Sequence, residues 1–445
     1  MRGLLGARAV AGIALLAVLL PACRSRTRIQ PVVTGTVPSA TSAGSRAVSS
    51  RSAGLRPSVA DLTLSEIRAR ILDSANLTVA AEAYRRAEAR GRVQQAGLPP
   101  NPYVMLRRRR MDDLNIFDSG FGVLEVGQPF ELGGKRSARV AQARAEAAAV
   151  DQEVRIVTAN TLRDAEIQFY RALRIAEDLG VAREQFQVAT ELQELADTRY
   201  REGKDSRIPV LRFEAAAEDA RLAVTDLERR YERACRALDE FVGAKPGSTR
   251  SVTGAWDASF LTTVEKGLTM AALAKHPRQL AAERAACAAD KAVRRADADR
   301  WTNLVVGLEG LYDHDTDRTY VGFSFLLPLP LWNKNEGERT RARAAARRAH
   351  TNVQAEALKL QVELDRAILS YERAQQNQVG YQEEILPRLQ TSLDLAREAY
   401  TGGRATYLDV LDAMLELYRQ RRTRFGHLEE QAQAAAVVRY LTEAF

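Results

Sequence analysis

The stretch AYTGGRATYLDVLDA, residues 399–413, breaks a long helical pattern with two glycines and an arginine, then resumes it with Asp409 and Asp412. Two hundred residues earlier the chain reads RYREGKDSRIPVLR, residues 199–212. Tyr200 aligns with Tyr400, Gly203 with Gly403, Lys204 with Arg404, and Val210-Leu211 with Val410-Leu411. Glycine accepts positive φ without a Cβ penalty, so it ends a helix in a tight reversal. The same punctuation at the same offset marks two copies of one helical hairpin. A period this long is a duplicated half rather than a solenoid repeat.

Working outward, residues 137–200 contain no proline and a single glycine, and residues 338–400 contain only Gly380 and Pro387 as breakers. At about 1.5 Å per residue each run makes a rod of about 90–100 Å, far longer than an ordinary globular domain requires. Leu386, Leu389, Leu393, Ala396 and Tyr400 step by three and four, as do Leu227, Tyr231, Ala234, Leu238 and Phe241 after the first turn. Such spacing predicts coiled-coil-like contact between rod and returning helix. The hairpins are expected over about 136–243 and 337–443. Pro209 sits in a first helical turn, where it is tolerated; Pro387 predicts a local kink.

Upstream of each rod the same programme appears twice. Residues 64–102 read as a short helix, a break near Asn76, a longer helix and a Pro-rich stop; residues 269–303 repeat this with a break at His276-Pro277. Strand-like sequence follows. Leu304, Val306, Leu308 and Tyr312 alternate with Val305, Gly307, Glu309 and Leu311, and Val321, Phe323 and Phe325 alternate with Gly322 and Ser324. Period two, aliphatic on one side and small or polar on the other, is the pattern of a membrane-barrel strand. A half-buried hairpin in a soluble domain has the same signature. The first copy starts at Tyr103–Leu106 and returns over 121–128 with Leu124 and Val126 outward, but four arginines, Arg107, Arg108, Arg109 and Arg110, interrupt it. A charge facing lipid at mid-bilayer costs about 2–4 kcal/mol, so this run is expected at the rim. The exits QPFELGGKR (128–136) and LPLPLWNKNEGER (327–339) carry prolines that close strands.

The chain has 445 residues, a formal charge of +8, 27% charged residues and 6% aromatics. Low aromatic content with abundant Ala, Arg, Glu and Leu points to long helices. Basic residues are interleaved with acids, without a basic face bearing stacking aromatics, which argues against nucleic-acid binding. Three cysteines do not make a disulfide framework; Cys235 and Cys287 read as small buried thiols. His276, His314, His350 and His427 lack zinc-site spacing. DHDTDR, 313–318, reads as a solvated turn rather than a metal site. No catalytic residue, cofactor or metal is expected.

The N-terminus MRGLLGARAVAGIALLAVLLPACRSR has Arg2 and Arg8 before an apolar run, Val10 to Leu20, too short to span a bilayer. Residues 1–22 read as a secretory signal. Leu20-Pro21-Ala22-Cys23 resembles a lipobox, which makes Cys23 the lipidated N-terminus of residues 23–57, a flexible tether; an ordinary cleavage site is the alternative. Arg24, rather than aspartate, favours the outer membrane.

From about Leu62 to Phe445 the chain resembles the TolC-like outer-membrane efflux proteins, in particular the lipidated branch of tripartite heavy-metal and drug pumps. AGLPPNP, the two exits and the two tip motifs YREGKDSRIPVL and YTGGRATYLDVLDA carry the resemblance. It implies a mainly α fold with a small β part, in two repeats over about 58–246 and 247–445. Their β-hairpins lie near 102–130 and 303–328. It further implies a homotrimer: four strands per protomer in a shared 12-stranded transmembrane β-barrel, with the helical hairpins forming a periplasmic α-barrel. Implied partners are a periplasmic adaptor, an inner-membrane pump of RND type and outer-membrane lipid. By resemblance Tyr200, Gly203, Lys204, Tyr400, Gly403 and Arg404 form adaptor-facing tips. Asp409 and Asp412 ring the periplasmic entrance, unless Asp409 serves only its own helix N-terminus. Leu304, Val306, Leu308, Val321, Phe323 and Phe325 would face lipid. An arginine that helps hold the family's entrance shut falls on Ala405 here, with Arg404 one place earlier, so the gating contacts are expected to differ. The first repeat has Pro209 and Arg212 at the aspartate positions, so no second acidic ring is expected there. A lipid-anchored periplasmic coiled-coil scaffold is the rival reading. The sequence does not name a cargo.

Overall fold

A computed structural model describes residues 61–73, 76–108, 121–249, 251–256, 271–313 and 316–442. The signal, Cys23, the tether, Arg109, Arg110 and His314 lie outside these residues, as does the side chain of Arg108.

The first repeat opens with the expected short and long helices. There α1 (Leu64–Leu72) precedes α2 (Leu77–Ala96). Asn76 caps α2, its Oδ1 accepting from the amides of Thr78 and Val79. In the second repeat α5 (Pro277–Ala298) is capped by His276, whose Nδ1 accepts from the Arg278 amide. Both breaks read from sequence are therefore N-caps, which satisfy donors that a helix start leaves unpaired. A two-stranded parallel pair, β1 (Asp61–Leu62) with β4 (Ser251–Val252), ties the start of the first repeat to the start of the second.

The rods follow the strands. α3 (Lys135–Arg201) is one uninterrupted helix of 67 residues. α4 (Ile208–Phe241) returns along its second half, burying Phe169, Leu238, Phe213 and Leu192 in apolar clusters. α2 lies antiparallel beside its first half, with ion pairs Arg85–Glu153 and Arg86–Asp151. In the second repeat α5 flanks α6 (Glu336–Gly380) through Arg278–Glu356, Arg278–Glu363 and Arg339–Asp297. α7 (Leu386–Thr401) completes the rod and α8 (Tyr407–Thr442) returns. The kink expected at Pro387 takes the form of a five-residue π-helical segment, Tyr381–Ile385, between α6 and α7. Proline lacks an amide hydrogen and clashes with the carbonyl four residues back; a widened turn accommodates both.

Two cysteine expectations separate. Cys235 is buried, but Cys287 is exposed, because its position on α5 falls between the two different faces that bury Ala286 and Ala288.

A polar seam joins α3 to α8. Asp178 is buried beside Arg174 (3.1 Å), and Arg174 also reaches Glu429 (3.3 Å). Burial pushes the Asp178 carboxyl up to about 6, against Arg174 and Arg422 and with Glu429 and Glu177. Burial, aided by Arg278, pushes His276 down to about 4. An acid raised above its unfolded value holds an extra proton in the native state, so Asp178 contributes more stability as pH falls through 6. His276 has the opposite sign, and its stabilisation is lost as pH falls from 6.5 through 4. Asp178→Asn removes the compensating gain. Its melting temperature should therefore fall more steeply than wild type as pH is lowered from about 6.5 to 4.5; parallel pH profiles would contradict this assignment.

Candidate functional site

Four strands form one antiparallel sheet in the order β2 (Tyr103–Arg108), β3 (Phe121–Glu131), β5 (Asn303–Asp313), β6 (Arg318–Leu326). The two hairpins of the repeats meet at β3 and β5. Register places Val104, Val126, Leu308 and Phe323 in one row across all four strands. The rows beside it hold Gln128, Val306 and Phe325 on one side and Leu106, Leu124, Gly310 and Val321 on the other. Because strand side chains alternate, these rows share one face. Leu304, opposite Phe130, belongs to the same face. Phe323 is 76% exposed, and Val104, Leu106, Val321 and Phe325 are similarly uncovered.

The other face has a packed polar centre. Its central rows are Tyr103–Gly127–Gly307–Ser324 and Met105–Glu125–Glu309–Gly322, flanked by Arg107–Val123–Leu311–Tyr320 and Pro129–Val305–Leu326. The Glu125 carboxylate accepts from the Tyr103 hydroxyl (2.9 Å), the Arg107 guanidinium (2.8 Å) and the Ser324 hydroxyl (3.1 Å). Gly127 and Gly307 make room: a Cβ on either would overlap the Tyr103 ring or the Ser324–Glu125 contact. One carboxylate thus holds β2, β3 and β6 together across β5. Arg107, the first residue of the arginine run, lies one pair from the end of the described ladder. It pairs with Val123 within the β2–β3 ladder and turns toward Glu125, because its odd number puts it on the polar face.

The exits differ between repeats. After β3, Gly133 and Gly134 take φ of 68° and 73°, and Gly134 precedes α3. Arg139 clamps this exit, pairing with Glu131 (2.5 Å) and donating to the carbonyls of Ala96 and Leu98. In the second repeat Asn335, at φ 59°, takes Gly134's place before α6.

The glycine turns are built alike. Gly203 and Gly403 have φ of 73° and 71°. In each a six-to-one bond closes the helix end, Lys204 to Arg199 O (2.9 Å) and Arg404 to Ala399 O (2.7 Å), the Schellman arrangement. The two turns touch. Arg199 bonds Asp205 (2.7 Å) across its own turn and donates to Thr401 O (2.8 Å) of the other. Its guanidinium lies 4.9 Å from the Tyr400 ring centre, and the Tyr400 hydroxyl donates to Asp205 (3.0 Å). The Arg199 guanidinium holds the Asp205 carboxyl below the usual carboxylate range; burial, with Asp205 adding, pushes Tyr400 up to about 12.

The aligned tyrosines therefore have different surroundings. Tyr200 is 43% exposed, whereas Tyr400 is 2% exposed and sits inside the junction. Its ring is not available as an adaptor-facing surface in this conformation, because Phe213 and Arg199 cover it. Lys204 is at the surface, paired with Glu202 (2.7 Å); Arg404 is exposed. Asp409 caps its own helix, accepting from the Thr406 amide (2.8 Å) and hydroxyl (2.7 Å), with the hydroxyl bond the first cause of its lowered pKa. Asp412, one turn on, is exposed. Arg199 and Asp205 were missed by sequence reading. Their signal was an opposite-charge pair flanking the Gly203 turn, with no counterpart around Gly403.

Comparison with known proteins gives consistent results. The family described as "Outer membrane efflux protein" matches residues 69–244 and 268–442. A curated relative, the cobalt-zinc-cadmium resistance protein CzcC of Cupriavidus metallidurans, is 24% identical over 386 residues, covering 86% of this chain and 90% of CzcC. Among solved structures, CusC superposes with a TM-score of 0.75 at 16% identity, covering 86% of this chain and 93% of CusC. VceC of Vibrio cholerae gives 0.68 at 19% identity, covering 85% and 95%. The open state of MtrE from Neisseria gonorrhoeae gives 0.69 at 16% identity, covering 86% and 89%. These structures share the fold. With both halves of the duplicated chain matched, this protein belongs to the outer membrane efflux protein family.

Proposed function

We propose that the chain is the exit duct of a tripartite efflux pump, a passive homotrimer that carries substrate from a periplasmic adaptor and inner-membrane pump, of RND type, through the outer membrane. One observation carries this reading: a four-stranded sheet whose edges β2 and β6 have no partner strand among the described residues, and whose one face is aliphatic and exposed. Four strands do not close a barrel, and an open edge is not viable in lipid. Three copies supply twelve strands, with Leu304, Val306, Leu308, Val321, Phe323 and Phe325 toward lipid and the Glu125 face toward water. No helix among the described residues is long and apolar enough to cross a membrane, so the sheet is the part suited to it. A lipidated Cys23 would add an anchor at the same membrane.

The hairpin tips, with Gly203, Lys204, Gly403 and Arg404 at their ends, face the adaptor. Asp409 and Asp412, three copies of each, form an acidic constriction that favours cations. Capping of α8 by Asp409 does not conflict with this, since a carboxylate keeps its charge while accepting hydrogen bonds. The cobalt-zinc-cadmium resistance of CzcC makes divalent cations the first cargo to test. Single-channel recording in planar bilayers tests the duct: wild type should conduct with cation preference, and Asp409→Asn with Asp412→Asn should lower that preference. Absence of channels would favour the scaffold reading.

The Arg199–Asp205–Tyr400–Thr401 junction holds the two tips together. A charge-assisted bond of this type contributes about 1.5–3 kcal/mol. Asp205→Asn or Arg199→Ala should loosen the entrance and raise single-channel conductance with the trimer intact. Unchanged conductance would remove the junction from gating.

A further inference from the structure

The two exits correspond residue by residue, yet only one of them is paired. The first hairpin's pairs Met105–Glu125 and Leu106–Leu124 recur in the second as Val305–Leu326 and Val306–Phe325. First strands therefore match at an offset of 200 residues and second strands at 201. The offset of 201 also carries Gly134, the left-handed residue before α3, to left-handed Asn335 before α6. It carries Pro129 to Pro330, so QPFE (128–131) corresponds to LPLW (329–332).

In the first hairpin these four residues run past their own partner strand. β2 begins at Tyr103, opposite Gly127. Beyond it β3 pairs only with the first strand of the next hairpin: Gln128 with Val306, Pro129 with Val305, Phe130 with Leu304 and Glu131 with Asn303. In the second hairpin the equivalent stretch has no such strand beside it. β6 ends at Leu326, and Leu329, Leu331 and Trp332 are exposed, Trp332 at 94%. The Leu331 amide instead closes a local turn on the Leu329 carbonyl (2.9 Å).

We infer that Leu329–Trp332 extends β6 along β2 of a second copy of the chain, in the register that β3 keeps with β5. Leu329 then lies opposite the partner's Leu106, Pro330 opposite the partner's Met105, Leu331 opposite the partner's Val104 and Trp332 opposite the partner's Tyr103. The inference rests on the homotrimer reading and adds to it the register of the seam. The faces agree. Gln128 and Phe130 share the aliphatic face with Val306 and Leu304, so Leu329 and Leu331 meet the partner's Leu106 and the partner's Val104, apolar side chains left exposed in one protomer. Pro129 and Glu131 stand on the Glu125 face, so Trp332 meets the partner's Tyr103 there as a cross-strand aromatic pair. A slip of one residue would turn both leucines to the Glu125 face.

The prolines agree as well. Pro129 has no amide hydrogen yet stands in the β3–β5 ladder, so its nitrogen points away from β5. Pro330 in the same register points away from the partner, and the amides of Leu329 and Leu331 on either side of it point toward the partner. The Leu331 amide exchanges its local bond for a ladder bond. A lipid would offer no backbone groups to these amides.

Cysteine pairs in the full-length protein test the register. A Cys287→Ser background removes the exposed thiol. Trp332→Cys with Tyr103→Cys and Pro330→Cys with Met105→Cys are in register; Trp332→Cys with Arg107→Cys is four residues out. After mild oxidation in detergent, both in-register pairs should run as a covalent trimer on a denaturing gel and revert with reductant, while the third stays monomeric. Native mass spectrometry of each unoxidised sample reads assembly separately. Trimers by mass in which neither in-register pair cross-links, or in which the out-of-register pair links as fully, would overturn the seam and leave the homotrimer standing. Monomers by mass would overturn the homotrimer and the seam with it.

Discussion

Phe323→Arg should abolish membrane assembly. Phe323 lies midway along β6, in the row that runs through Leu308 and Val126 to Val104. If that row faces lipid, each arginine costs about 2–4 kcal/mol at mid-bilayer depth. A trimer carries three, and separated sites add, so the total approaches the whole stability of an ordinary domain, about 5–15 kcal/mol. Tyr320→Arg is the control. Tyr320 is on the same strand but the opposite face, paired with Leu311, where an added charge meets water. The account expects Tyr320→Arg in the membrane fraction at near wild-type level and Phe323→Arg degraded or soluble. Equal recovery of both would mean the apolar face does not meet lipid.

A second large effect is expected far from the sheet. Glu166 on α3 is buried and pairs with Arg439 of α8 and with Arg68 of α1 (2.7 Å). Arg439 is as deeply buried as Glu166. Removing one member of a buried pair strands the other charge, at a cost of about 3–5 kcal/mol. Glu166→Ala should therefore lower the denaturant midpoint strongly, read as loss of helical circular dichroism. Replacing both partners, Glu166→Leu with Arg439→Met, should recover most of the loss, since apolar pairs often substitute for buried ion pairs. A double variant as damaged as the single one would show that the site needs the pair itself.

The repeat was legible because backbone chemistry repeats. The break near Asn76 and the one at His276-Pro277 are both side-chain N-caps, and Gly203 and Gly403 both close helices at positive φ. Strand faces were legible for the same reason: alternation in β5 and β6 is a local property. Long-range chemistry was hidden. Sequence alone gave Tyr200 and Tyr400 one role, although packing buries the second against Phe213. Arg107 read as part of a charge run, but register aims it at Glu125. The Arg199–Asp205 pair joins two tips that are two hundred residues apart in the chain, and no local pattern announces the Thr401 carbonyl as its third partner.

The mass of the detergent-solubilised protein tests the central claim most directly. That claim is that one protomer's four-stranded sheet closes only by pairing β6 with β2 of a neighbour. Native mass spectrometry should give three chains per particle, with dissociation when the edges are blocked by proline, for example Val104→Pro in β2. A stable monomer retaining its sheet would contradict the account.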